Sequence, residues 1–200
     1  MRPLSVVAEL LAPFAGEAAE QLAERLIGRF GSLSRVLAAP LPQLRAAAGG
    51  HDAAVGAIFG ASRLVEAALG EDLTGASVDG ADPAIHRYLR MRIGVCGSER
   101  LHAIFAGPGG AFLAAETIAE GGAGRIEARA RPLFERALQL GAAGFLLAHN
   151  HPSGHCRPSA EDVAETRRLA GLAAALELDL LDHLIVTRTR VFSMRLGGWF

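Results

Sequence analysis

The hydrophobic period of this chain changes once, near residue 80, and that change limits the folds open to it. Over residues 1–72 apolar side chains recur every three or four positions, the spacing of helices that bury one face. Glu17 to Phe30 places Ala19, Leu22, Ala23, Leu26, Ile27 and Phe30 on one stripe, and Gly31 is a natural stop. Ser32 to Ala39 and Pro42 to Ala48 read as short helices. Asp52 can cap a longer one running to about Leu69, with Val55, Ile58, Phe59, Val65 and Leu69 on one side. Residues 73–83, LTGASVDGADP, are small and polar and read as a linker. Residues 84–200 then alternate strands and helices. Leu101 to Ala106 and Phe112 to Ala119 form a hairpin across the turn Gly107 to Gly110, followed by a helix from Pro132 to Leu140. A strand over Gly144 to His149, a helix over Ala160 to Leu176 and strands over Leu180 to Val186 and Val191 to Met194 complete the pattern. The reading is an α/β mixed fold: a small helical module, then a mixed sheet flanked by helices.

Half of the 200 residues are hydrophobic, enough for a buried core. The net charge of −1 argues against a dedicated nucleic-acid binder, whose footprint would be basic. Residues 1–80 carry 6 arginines against 9 acids, and residues 81–200 carry 14 against 12, so the helical part is the acidic one. All 20 basic residues are arginine, which a GC-rich genome explains most simply and which also leaves no side-chain amine to modify. Two cysteines, Cys96 and Cys156, make no disulfide framework. The N-terminal apolar run is broken by Glu9 and lacks a cleavage signature, and no uninterrupted apolar stretch has membrane-spanning length. The expectation is a soluble cytoplasmic protein with no membrane association.

The chemistry concentrates in one segment, HNHPSGHCRPSAED. His149 and His151 alternate at a strand end, so both imidazoles leave the same face and can share a metal. Ser159 and Asp162 fit a capping-box start to the next helix, which could return Asp162 to the histidines. Two imidazoles and a carboxylate leave a fourth tetrahedral position for water, the arrangement of a catalytic zinc site with one ion per chain. Solvent-exposed histidines beside a capped helix are the plainer alternative.

H-x-H-P, then Ser159 after seven intervening residues and Asp162 three further on, matches the JAMM (MPN) metalloprotease motif. The fuller string HNHPSG…PS..D..ET, followed by LLDHLIV, resembles the RadC family of bacterial JAMM-domain proteins, and GRFGSLSRVL extends the resemblance toward the N-terminus. The resemblance implies a JAMM/MPN-type domain, with zinc on His149, His151 and Asp162, acting on a peptide or protein substrate. It also implies an upstream glutamate on a strand as general acid–base. Position in the hairpin selects Glu116, with Glu120 and Glu127 behind it, because an acid after an apolar strand is costly unless it lines a site. Ser159 would donate to the oxyanion, worth about 2.7–4 kcal/mol, or serve as a helix cap alone. Cys156 and His155 read as exposed loop residues, with Cys156 as fourth ligand the weaker alternative. His183 reads as a satisfied core histidine.

The family's helix-hairpin-helix-like segment would fall on AAAGGHDAAVGAI, but the G-x-G spacing is lost and Asp52 adds negative charge, which argues against phosphate binding there. Around the candidate site, Arg131 precedes Pro132 where the family has the reverse order, and glycines replace a polar hairpin turn. The leading reading is a zinc-dependent peptidase or isopeptidase. The alternatives are a DNA-repair-associated accessory protein and a non-catalytic metal-binding scaffold. A zinc deaminase is excluded, since residue 151 is His where Glu is needed and no C-x-x-C exists.

Overall fold

A computed structural model describes residues 2–121 and 130–200. The chain divides into two compact units, Met1–Ala68 and Leu69–Phe200.

The first unit is helical. It comprises α1 (Pro3–Ala15), α2 (Ala19–Phe30), α3 (Leu33–Ala38), α4 (Leu41–Ala48) and most of α5 (Asp52–Glu71). Gly31 ends α2 in the left-handed region at φ 84°, and the Ser32 hydroxyl caps α3 by accepting from the Arg35 amide. Leu11, Leu22, Leu26, Val36, Leu44, Val55 and Ile58 meet in its core. On α5, Val55 and Ile58 are buried as the period predicts, but Phe59 and Val65 are 43% and 38% exposed. The core of the unit reaches only the first turns of this 20-residue helix. The expectation of no uninterrupted apolar stretch of membrane-spanning length bears on this helix. α5 is long enough and apolar enough on average to cross a membrane, although Arg63 and Glu66 form an ion pair at 2.9 Å within it.

The second unit holds α6 (Pro83–Arg92), β1 (Arg100–Ala106), β2 (Phe112–Glu120), α7 (Ala130–Gln139), β3 (Gly144–Asn150), α8 (Ala160–Ala175), β4 (Asp179–Val186) and β5 (Val191–Ser193). Its five strands lie in the order β2-β1-β3-β4-β5. β3 and β4 are parallel, joined through α8, and the other neighbouring pairs are antiparallel. Segment 73–83, expected as a linker, is instead packed. Leu73 and Val78 join the core, Ser77 bridges Ala111, and a Cβ on Gly80 would collide with Asp182.

β3 is buried along its whole length, as a central strand covered on both faces must be. Its side chains alternate. Phe145 and Leu147 face α7 and α8, with Leu133, Phe134, Leu169 and Ala173. Leu146 and Ala148 face α6, with Ile85, Tyr88 and Leu89. The same alternation puts His149 on the α7–α8 side and Asn150 on the α6 side.

His102 on β1 is fully buried between the Tyr88 hydroxyl at 3.1 Å and the Thr117 hydroxyl at 3.2 Å. Burial pushes its pKa down from 6.5 to about 3. The unfolded chain therefore takes up a proton at pH values where the folded chain does not. Stability from this group is intact above about pH 6.5 and is lost as pH falls toward about 3. His102→Gln should lower the slope of unfolding free energy against pH by about 1.4 kcal/mol per unit between roughly pH 4 and 6. Urea unfolding at several pH values reads this slope, and an unchanged slope would mean His102 is charged in the fold.

Candidate metal centre

β3 and α8 build the site. His149 is the penultimate residue of β3 and His151 directly follows that strand, while Ser159 caps α8 and Asp162 lies in its first turn. His149 Nε2 and His151 Nε2 are 2.9 Å apart. His149 Nε2 is 3.1 Å from Asp162 Oδ1, and His151 Nε2 is 3.4 Å from Asp162 Oδ2. A tetrahedral ion with ligand bonds near 2.0–2.1 Å requires ligand–ligand edges of about 3.3–3.4 Å, so three corners of such a figure are nearly formed.

The hydrogen bonds fix the tautomers. The Thr166 hydroxyl donates to the Asp162 carbonyl at 2.6 Å, so its oxygen must accept from His183 Nδ1–H, also at 2.6 Å. Burial holds the His183 pKa well below its ordinary value, so the ring is neutral and its Nε2 is an acceptor. That Nε2 accepts from His149 Nδ1–H at 2.8 Å, so in the neutral ring His149 Nε2 carries the lone pair. His151 Nδ1 donates to the His155 carbonyl at 2.8 Å, so in the neutral ring His151 Nε2 carries the lone pair as well. With both rings neutral, two lone pairs and a carboxylate oxygen converge, an arrangement that calls for positive charge, either a metal ion or protons on the rings. The group His149, His151 and Asp162 could hold a metal ion.

Asp162 is prepared as an anion. Burial opposes its charge, but hydrogen bonds from ring-protonated His149 and His151, whose protons a metal ion would displace, and from Ser159 outweigh it and hold the carboxyl well below the usual range. The capping box is complete. The Ser159 amide and hydroxyl both donate to Asp162 Oδ2 at 2.7 Å, and the Ser159 oxygen accepts from the Asp162 amide at 3.1 Å. The hydroxyl proton expected to be available to an oxyanion is therefore committed to Asp162. The His151 pKa is raised, first by the Asp162 hydrogen bond and with a smaller contribution from the Glu99 carboxylate.

Glu116 is not part of this group. It lies on the edge strand β2, where the Arg136 guanidinium grips both carboxylate oxygens at 2.6–3.0 Å. It lines a recess of about 250 Å³ with Thr117, Arg136 and Gln139, away from the histidines. Glu120 pairs with Arg100 at 3.4 Å, and Glu127 falls outside the described residues. Another acid whose charge reaches the site is Glu99, just ahead of β1. β1 and β3 are antiparallel with Leu101 opposite His149, and continuing that register two residues beyond the paired strands would bring Glu99 opposite His151. The signal for it was an acid directly preceding an apolar strand. His183, expected as a satisfied core histidine, is satisfied by His149 itself. Thr166 was missed, although it lies one helical turn beyond Asp162.

Cys156 is buried rather than exposed. Its thiol donates to the Ile185 carbonyl at 3.3 Å, and burial pushes its pKa up. It points beneath the loop as a neutral thiol, which suits packing rather than metal ligation.

The family described as RadC-like JAB domain matches residues 81–199 of the chain. A UPF0758 protein of Chromobacterium violaceum is 34% identical over 196 residues, covering 96% of this chain and 88% of its own length. One from Cupriavidus taiwanensis is 33% identical over 192 residues, covering 94% and 84%. One from Burkholderia mallei is 33% identical over 178 residues, covering 89% of this chain and 64% of its own.

The purified chain should bind one divalent cation. His149→Ala and Asp162→Ala should each abolish binding, and Cys156→Ser should leave affinity within about twofold. Protons compete for His151, so affinity should fall as pH drops through its raised pKa. Cobalt(II) titration checks all three, and loss of binding in Cys156→Ser would show the thiol to be a ligand.

Proposed function

The chain belongs to the RadC-like JAB domain family, and from that premise we propose that it is a zinc-dependent hydrolase of peptide or isopeptide bonds. The observation that carries this reading is the convergence of two tethered imidazole Nε2 atoms on the Asp162 carboxylate, with the charge of Glu99 nearby. Nitrogen and carboxylate donors in a set of three favour zinc with one position open. When bound, such an ion lowers the pKa of water toward about 7 and polarises a carbonyl.

The chain's own residues supply the rest. Glu99, facing His151, would accept the proton of the attacking water and return it to the leaving amine. It takes the part first given to Glu116, whose carboxylate is neutralised by Arg136. His183 and Thr166 hold the His149 ring in one tautomer, and the His155 carbonyl does the same for His151. Ser159 holds Asp162, and a donation from its hydroxyl to an oxyanion would require that proton to leave Asp162 Oδ2. The same reading gives the protein a peptide or protein substrate and a cytoplasmic setting, with no role for nucleic acid or membrane.

Zinc-loaded protein should cleave peptides or lysine-linked isopeptides in a chelator-sensitive manner. Glu99→Gln should retain zinc and lose about 10²–10⁴-fold in rate, while Glu116→Gln should stay within about twofold. The reverse pattern, measured by mass spectrometry of the products, would restore Glu116 as the base. No cleavage by the loaded wild-type chain of any peptide or isopeptide in a broad panel would sink the hydrolase reading.

A further inference from the structure

Between the two histidines stands Asn150, fully buried and directed to the opposite face of β3. Its Oδ1 accepts from the Arg100 amide at 2.7 Å. Its Nδ2 donates to the Ser98 carbonyl at 3.0 Å and to the Cys96 carbonyl at 3.3 Å. The whole side-chain amide is thus spent on the backbone of residues 96–100. Two of its three partners, Ser98 and Arg100, flank Glu99. A third tie comes from the other side, where the Gly121 amide donates to the Glu99 carbonyl at 3.0 Å.

We propose that Asn150 is a positioning residue, which clamps the backbone on both sides of Glu99 and so sets where that carboxylate stands against His151. The inference rests on the hydrolase reading for its functional meaning, but the clamp itself is a matter of hydrogen-bond chemistry. The site needs one acceptor and two donors on a short stem. A buried carboxamide offers both, whereas a carboxylate offers acceptors alone and an aliphatic side chain neither. Aspartate of the same shape would satisfy the Arg100 amide and face the Ser98 and Cys96 carbonyls with like charge. A strand thereby carries its ligands on one face and the anchor of the general base on the other, so displacement of β3 moves both together.

A double-substitution cycle on the full chain tests this, with cobalt(II) as the probe. Glu99→Gln should weaken cobalt affinity roughly tenfold through loss of a nearby charge. Asn150→Ala should weaken it by a similar factor and increase hydrogen exchange at the Arg100 amide. The double variant should bind no more weakly than Glu99→Gln alone, since the clamp has nothing left to position. Weakening that multiplies in full, to about a hundredfold, would overturn the proposal and assign Asn150 to the fold of β3. Unchanged affinity in Glu99→Gln would overturn it as well, because the carboxylate would then not stand at the site. If Asn150→Ala fails to fold, Asn150→Asp takes its place in the same cycle, with a thermal melt to establish folding. A wild-type chain that binds cobalt and cleaves nothing, when loaded with zinc, would sink the hydrolase reading while the cycle still measured the clamp.

Discussion

Two imidazole nitrogens, each held forward by its ring's other nitrogen, stand 2.9 Å apart beside a buried carboxylate. Much of the second unit can be understood as what keeps them there. Left to itself, the pair would turn away or take up protons. Each ring is kept from turning because it is tethered through its other nitrogen, one to a carbonyl in the following loop and one to a buried neutral histidine, and protons compete with a metal ion for the inward nitrogens. The tether behind His149 runs through His183 and Thr166 back to the backbone of Asp162, the third donor. The relay therefore closes on the site it orients. A closed, satisfied polar network in a core is rigid, because moving any one group breaks hydrogen bonds that no water replaces.

The parts of this site that were legible in the sequence are the ones encoded locally. Alternation at a strand end predicts that His149 and His151 share a face, and helix capping predicts the return of Asp162. Both relations need only a few neighbouring residues. Glu99 was not legible because its place depends on the register between β1 and β3, strands separated by a hairpin and a helix. Glu116 shows that a sound physical rule can be met in more than one way. An acid on a half-buried strand does need compensation, but an arginine from a distant helix compensates as well as a metal site does. With twenty arginines and no lysine, the chain has many such planar partners available.

The fold was readable to the same extent. Most helices and strands fall where hydrophobic period and caps place them, because each element's period is a local property. The misjudged segments are those whose burial depends on what lies across from them. Residues 73–83 look like a linker by composition, yet Leu73 and Val78 find apolar partners in the core of the second unit. The far end of α5 looks like a core stripe, yet the helical core stops short of it. Cys156 looks like a loop residue, yet its thiol reaches under the loop to Ile185.

The three-residue run His149, Asn150, His151 then acquires a sharper meaning than a ligand spacing. Two faces of one strand are committed to one centre, with ligands toward α8 and a backbone clamp toward α6. The clamp fixes the segment in which Glu99 lies, and that segment begins the strand that pairs with β3. Ligands and acid are therefore referred to the same backbone, with only one hydrogen-bonded strand pair between them. Such a short mechanical path is what a proton transfer needs, since an error of about 1 Å in the acid's position can cost about 10²-fold in rate. A glutamate on the edge strand β2 sits one strand further out, beside a recess lined by Arg136 and Gln139. The sheet thus favours the inner position for the acid on mechanical grounds alone, independent of any resemblance to other proteins.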